Sequence, residues 1–226
     1  MEICRLENVS KSYFTGEKLS PLQNINLLIK AGDFVSIEGS SGLGKSTLLH
    51  VMGSLLKADA GKLYLDQKEV SLMTDRQLTE LRAAKIGFIF QEPRLIQALT
   101  LQENLEFTIT LGTKRKSKAK EVLSLLDRLG LSERKDFLPY QLSGGQRRRA
   151  MVAGALIKRP ALILADEPTN DLDDFWAHEI IQLFLEARQQ GSAVVMATHN
   201  HQWTKAAPFR YRLEDGELSP VQVQQQ

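Results

Sequence analysis

Three clusters of residues carry chemistry suggested by their types and spacing alone. Gly39-Ser40-Ser41-Gly42-Leu43-Gly44-Lys45-Ser46, followed by Thr47, satisfies the pattern G-x-x-x-x-G-K-[ST]. In such a loop the glycines let backbone amides curve around phosphate oxygens, Lys45 can reach the β and γ phosphates, and Ser46 can hold magnesium. A second cluster, Ala161-Leu-Ile-Leu-Ala-Asp166-Glu167, ends an apolar run with two acids. If the run is a strand of an open α/β sheet, ligands collect at its carboxyl end, where Asp166 suits magnesium and Glu167 suits polarising a water as general base. Taken alone, the same run reads equally as a strand closing in a solvated acidic turn. The third cluster, Ser143-Gly144-Gly145-Gln146, precedes a helical pattern from Gln146 to Lys158. A serine cap followed by two unobstructed glycine amides can offer donors to a second anion. An ordinary helix cap explains Ser143 but gives the paired glycines no reason.

The elements that must position these groups follow from hydrophobic period. Apolar runs or alternation predict strands at Ile3 to Val9, Leu22 to Ile29, Phe34 to Glu38, Gly61 to Leu65, Ile86 to Phe90, Ala161 to Ala165 and Ala193 to Ala197. A helix is expected from Gly44 to Met52, and Thr74 and Gln77 have capping-box spacing before a helix ending near Lys85. From about Gln91 to Pro160 the period turns helical, with Val122, Leu123, Leu125, Leu126 and Leu129 ahead of Gly130. Asp174 to Gln190 reads as an amphipathic helix. Strands alternating with helices indicate an open, largely parallel α/β sheet. The expected organisation is one domain over residues 1–220, with a helical subdomain at about 91–160 and a frayed polar tail at 221–226.

The 226 residues are 42% hydrophobic, suited to one compact unit with a subdomain. Lysine plus arginine number 29 against 27 aspartate plus glutamate, too even a balance for a general nucleic-acid or membrane-surface binder. The basic run Lys114, Arg115, Lys116, Lys118 and Lys120 reads as a solvated loop and helix start, with contact to lipid headgroups or RNA as the alternative. Cys4, the single cysteine, permits no internal disulfide and suits a reducing compartment. No stretch approaches the roughly 20 apolar residues of a membrane span, and the amino-terminal residues lack an export signal's apolar core.

Preceded by Leu142, the third cluster reads LSGGQ, and here the chain resembles the ATP-binding-cassette (ABC) ATPases from about Leu6 to Leu218. The resemblance implies an α/β P-loop NTPase of ABC type, with a mostly parallel core sheet, an amino-terminal antiparallel β subdomain and a helical signature subdomain. It implies ATP and Mg²⁺ as ligands, and a head-to-tail dimer in which Ser143, Gly144, Gly145, Gln146 and Asp173 contact ATP held by the second subunit's phosphate loop. Gln91 matches the glutamine loop, which meets magnesium or water, and His199 matches the switch histidine that positions Glu167 and water. Tyr13 stands where an aromatic ring often stacks on adenine, although stacking alone does not exclude GTP.

In the same family an integral membrane permease docks near the glutamine loop, here Gln91 to Leu101, where Pro93, Leu95, Ile96 and Leu99 either line the contact or pack the helical subdomain. The segment Leu72 to Lys85 and Leu99-Thr-Leu-Gln-Glu-Asn104 resemble the subgroup of macrolide export and lipoprotein release. That implies an ATPase on the cytoplasmic face of the membrane, partnered by a second ABC ATPase subunit and separate membrane subunits, without nucleic acid. The alternatives are regulation of a membrane complex such as a cell-division machine, or a soluble cassette in DNA repair or translation. The run Arg147-Arg148-Arg149-Ala150 and Gly154 depart from the family's usual residues, so contacts of the signature helix are expected to differ; Leu43 and Asn200 also depart, removing no proposed catalytic group but bearing on rate or coupling.

Overall fold

The computed structural model describes residues 1–14, 16, 18–111 and 119–221. Lys114, Arg115, Lys116 and Lys118 of the basic run, and residues 222–226 of the tail, lie outside the described residues. Two sheets organise the chain. Strands β1 (Glu2–Phe14), β2 (Lys18–Lys30), β4 (Ala60–Leu65) and β5 (Lys68–Glu69) form an antiparallel sheet in the order β2-β1-β4-β5. The second sheet runs β10-β9-β3-β8-β7-β6, from β3 (Phe34–Glu38), β6 (Ile86–Ile89), β7 (Leu162–Asp166), β8 (Ala193–Ala197), β9 (Phe209–Glu214) and β10 (Glu217–Pro220). All its pairs are parallel except β9 with β10.

Residue alternation explains why the central strands are uninterrupted apolar runs. Leu162 and Leu164 of β7 and Val195 of β8 pack beneath the antiparallel sheet and α1 (Lys45–Met52). Ile163, Ala165, Val194 and Met196 face the opposite side, against α5 (Gly144–Leu156) and α6 (Asp174–Gln189). Strands buried on both faces need apolar residues at every position. Their register decides where the chemistry falls. Ile37 pairs with Ala197, Ala197 with Asp166, and Ile89 with Ala165, so the segments leaving β3, β8, β7 and β6 emerge at one edge.

Between β6 and β7 lie α3 (Leu101–Thr110), α4 (Ala119–Arg128) and α5, packed around Leu105, Val122, Leu126 and Ala153. The capping box expected at Thr74 and Gln77 is present and starts α2 (Asp75–Lys85), which buries no residue of its own. Among the described residues, no helix is long and apolar enough to cross a membrane. The strands β1 and β2 run further than their apolar cores suggest, because mutual pairing continues into the polar ends as far as Phe14 and Lys18. The β9-β10 hairpin and the short α7 (His201–Thr204) were not foreseen.

Gly130 ends α4 with φ of 63°, and a Cβ there would stand 2.4 Å from the Trp176 ring. Arg149 lies over that same ring, its guanidinium carbon 3.8 Å from the centroid, joining α5 to the first turn of α6. Gly130→Ala is therefore expected to destabilise the fold by about 2 kcal/mol or more, from left-handed strain plus displacement of Trp176. Thermal unfolding should show a melting temperature lowered by roughly 4–8 °C.

Candidate functional site

At the shared edge, β3 ends in a loop whose backbone only glycine tolerates at two points. Gly39 passes so close to β9 that a Cβ would meet the Leu213 carbonyl oxygen at 2.7 Å. Gly44, with φ of 98°, caps α1, and a Cβ there would meet the Pro21 carbonyl oxygen at 2.7 Å. Lys45 is buried, and its Nζ donates to the carbonyl oxygens of Gly39 at 2.8 Å and Ser40 at 3.0 Å, drawing the loop into a ring. Beneath it Glu38 is held by Arg210 of β9, whose Nε donates at 2.8 Å. Burial pushes the Glu38 carboxyl up, but hydrogen bonds from Arg210 and Thr204 and the Arg210 charge outweigh this and hold it below the ordinary range.

The loop walls a hollow of about 710 Å³. Tyr13, Ser41, Gly42, Leu43, Gly44, Lys45, Ser46, Thr47, Gln91, Asp166 and Glu167 all line it, so most of the residues expected to bind a nucleotide share one space. Further walls come from Leu19 to Pro21, Gln23, Asp215 and Gly216, which sequence reading missed. They arrive because Gln23 Nε2 donates to the Asp215 carbonyl at 2.9 Å, seating the β9-β10 turn on β2. The one visible signal was Asp215-Gly216 itself, a dipeptide typical of tight hairpins.

Asp166 and Glu167 are both buried yet held differently. Burial raises the Asp166 carboxyl above its ordinary range; a hydrogen bond from Ser46 offsets part of this and the Glu167 charge adds to it. Glu167 adopts φ of 47°, a left-handed conformation costing a non-glycine residue about 1–2 kcal/mol. Its carboxylate is fixed on three sides: Thr198 Oγ1 donates to Oε2 at 2.8 Å, the His199 amide donates to Oε1 at 3.0 Å, and the His199 ring Nδ1 lies 2.8 Å from Oε1. Thr198 was not identified from sequence, because a threonine after a strand has no distinctive pattern. His199 does not line the large hollow. It borders a smaller one of about 270 Å³ with Gly39, Ser40 and Leu43, and reaches the first through Glu167.

The residues present fit a magnesium ion. Ser46, Asp166 and Gln91 offer hard oxygen donors in few numbers, as an ion that keeps its waters and takes phosphate oxygens requires. Among the described residues, no cluster of three or more histidine, cysteine, aspartate or glutamate side chains offers a site of the many-ligand kind.

The LSGGQ segment lies apart from this hollow and is not among its walls. Ser143 caps α5 in a capping box, accepting from the Gln146 amide at 3.2 Å while Gln146 Oε1 accepts from the Ser143 amide at 2.9 Å. The first-turn amides of Gly144 and Gly145 fall outside the intrahelical ladder. A Cβ on Gly145 would meet the Asp171 carbonyl oxygen at 3.1 Å, so the second glycine admits the loop that leads to Asp173. Asp173 caps α6, accepting from the Trp176 amide at 2.9 Å.

Fold and site together define a nucleotide-binding α/β protein of the phosphate-loop class. The family model described as ABC transporter matches residues 22–170, and the chain belongs to that family. It is 41% identical to the macrolide export ATP-binding/permease protein MacB 2 of Yersinia pestis bv. Antiqua (strain Antiqua), over 96% of this chain and 32% of that protein. The chain thus spans about a third of the length of the macrolide export relatives it matches. It is 39% identical to the lipoprotein-releasing system ATP-binding protein LolD of Myxococcus xanthus (strain DK1622), over 97% of this chain and 99% of that one. Among solved structures, the dimeric post-hydrolysis state of the ATP-binding cassette MJ0796 bound to ADP and Pi superposes with a TM-score of 0.91. That match has 37% identity and covers 98% of this chain and 100% of that chain.

Burial of the Asp166 charge opposes folding, because the folded state holds that proton more tightly than the unfolded chain does. Asp166→Asn should therefore raise the melting temperature measured in chelator at neutral pH, by about 2–4 °C for each kcal/mol recovered. An unchanged or lower value would show that burial is already offset.

Proposed function

We propose that this chain is the ATP-binding and ATP-hydrolysing subunit of a bacterial ABC transporter, powering export or extraction of a substrate through a separate membrane protein. The observation that carries the reading is the Glu167 carboxylate, buried on the wall of the Lys45 and Ser46 hollow and oriented by Thr198 and His199. The loop amides and Lys45 bind the phosphates, and Tyr13 takes the base. Ser46, Asp166 and Gln91 hold magnesium, which when bound neutralises charge on the phosphate oxygens. Glu167 accepts a proton from the attacking water, while His199 and Thr198 keep its carboxylate aimed.

The amides of Gly144 and Gly145 lie away from the chain's own hollow, which supports their use by the nucleotide of a second copy, with Asp173 alongside. Two copies closing on two ATP molecules and parting after hydrolysis would turn binding into movement. The movement has a candidate receiver beside Gln91: a groove of about 260 Å³ lined by Phe90, Leu95, Ile96, Phe107 and Leu111, with Arg94 and Lys158 at its margin. Burial pushes the Lys158 ammonium down to about 8, while its Nζ donates to the Ala83 carbonyl at 2.8 Å. Of the residues expected to meet a permease, Leu95 and Ile96 line this groove; Pro93 and Leu99 are not among its walls. A permease segment seated there would place the chain on the cytoplasmic face of the membrane. A Cβ at Gly154 would meet nothing within 4 Å, so the groove is open along that wall.

Glu167→Gln keeps the size and two of the hydrogen bonds but removes the base. Steady-state hydrolysis should fall by at least about 100-fold, with nucleotide affinity unchanged in a fluorescent-ATP titration. Near-normal turnover would sink the assignment of Glu167. For the transport reading, affinity purification in detergent should retain an integral membrane protein; retention of ribosomes or DNA instead would refute it.

A further inference from the structure

The arginine run after LSGGQ contains a buried charge that nucleotide chemistry leaves unexplained. Arg148 is 2% exposed on the core side of α5. Its Nη1 donates to the Phe90 carbonyl oxygen at 3.0 Å, and its Nη2 lies 3.4 Å from Asp171 Oδ2. Its buried Nε has no hydrogen-bond partner. The Asp171 side chain is 69% exposed, so that ion pair is screened and weak. One carbonyl and one screened carboxylate do not repay the desolvation of a guanidinium, so fold stability alone gives no reason to keep a charge here.

What the side chain joins supplies a reason. Phe90 is the residue before Gln91, and Asp171 lies two residues before Asp173, in the loop that leaves Glu167. The Asp171 backbone also packs close to Gly145, where a Cβ would meet its carbonyl oxygen at 3.1 Å, and Asp171 turns the chain through a left-handed φ of 62°. One side chain on the signature helix thus grips both the segment carrying Gln91 and the loop carrying Asp173. We propose that Arg148 is a positioning residue for ATP hydrolysis, setting the Gln91 segment and the Asp171 loop against the signature helix so that all three move together. The inference rests on the ATPase reading above.

The test is a mutant cycle on the purified full chain, with its membrane partner where one co-purifies. Arg148→Met, of similar length without charge, should lower kcat by about 10-fold with the KM for ATP and fluorescent-ATP affinity within about 2-fold of the parent. Arg148→Lys keeps a donor for the Phe90 carbonyl and should recover most of that loss. Asp171→Asn sits on the surface and tolerates the left-handed conformation, so it keeps the fold even where Arg148→Met does not. It should lower kcat by about 2- to 5-fold in the parent, and by nothing further in the Arg148→Met or Arg148→Lys background. Unchanged kcat in Asp171→Asn, additive losses, or a fall in kcat matched by equal losses in nucleotide affinity and melting temperature would each overturn the proposal. A parent without turnover would overturn the ATPase reading and this inference together, whereas an active parent with an indifferent Arg148→Met overturns this inference alone.

Discussion

The constraint on which the site depends is the register of four parallel strands. With Ile37 opposite Ala197 and Ala197 opposite Asp166, the chain leaves β3, β8 and β7 at the same height, and β6 follows through Ile89 and Ala165. Each exit then supplies a different group: the phosphate loop from β3, Gln91 from β6, the acid pair from β7, and Thr198 with His199 from β8. A one-residue slip in a strand buried on both faces would exchange the residues of two packed cores, so the apolar alternation also protects the site's geometry. Packing and catalysis thus share a single specification, and the polar residues at the strand ends are aligned by the apolar ones behind them.

That alignment brings like charges together away from water, and the structure answers with fixed hydrogen bonds. Asp166 is raised by burial and steadied by Ser46, whereas Glu167 turns through a left-handed backbone to reach the Thr198 hydroxyl and the His199 amide. The turn is what separates the two neighbours. In continued strand conformation their side chains would point to opposite faces of the sheet, one of them into a core. Here both reach one hollow, and the local strain is offset by the donors from β8.

Much of this was legible in the sequence, and what was not has identifiable causes. The central strands announced themselves because burial on two faces leaves runs such as Ala193 to Ala197 without a polar residue. The caps at Thr74 and Ser143 and the glycine stop at Gly130 were equally clear, since each rests on the chemistry of one or two neighbouring residues. Strand β9 alternates arginine with Phe209, Tyr211 and Leu213 and was overlooked, although that period, with Asp215-Gly216 after it, marks a hairpin. The walls at Leu19 to Pro21 and Gln23 meet those at Asp215 and Gly216 through a Gln23–Asp215 contact spanning 192 residues, which no local pattern encodes. Arg147, Arg148 and Arg149 look alike as letters, but helical geometry sends them apart: to the Leu142 carbonyl, to Phe90 and Asp171, and over Trp176.

The same helix geometry explains why two glycines follow Ser143. The serine and Gln146 close the capping box, using the third amide of the turn and leaving those of Gly144 and Gly145 without an intrahelical acceptor. A Cβ at Gly145 would crowd the Asp171 carbonyl oxygen at 3.1 Å, in the loop between Glu167 and Asp173. The protein's own packing is therefore tight at the second glycine, whereas Gly144 has open space around it. A small residue with open space around it, at the exposed start of a helix whose first amides have no intrahelical acceptor, leaves room for an anion to approach the backbone. The chain's own phosphate loop lies elsewhere, which fits the proposal that a nucleotide on a second copy uses this room.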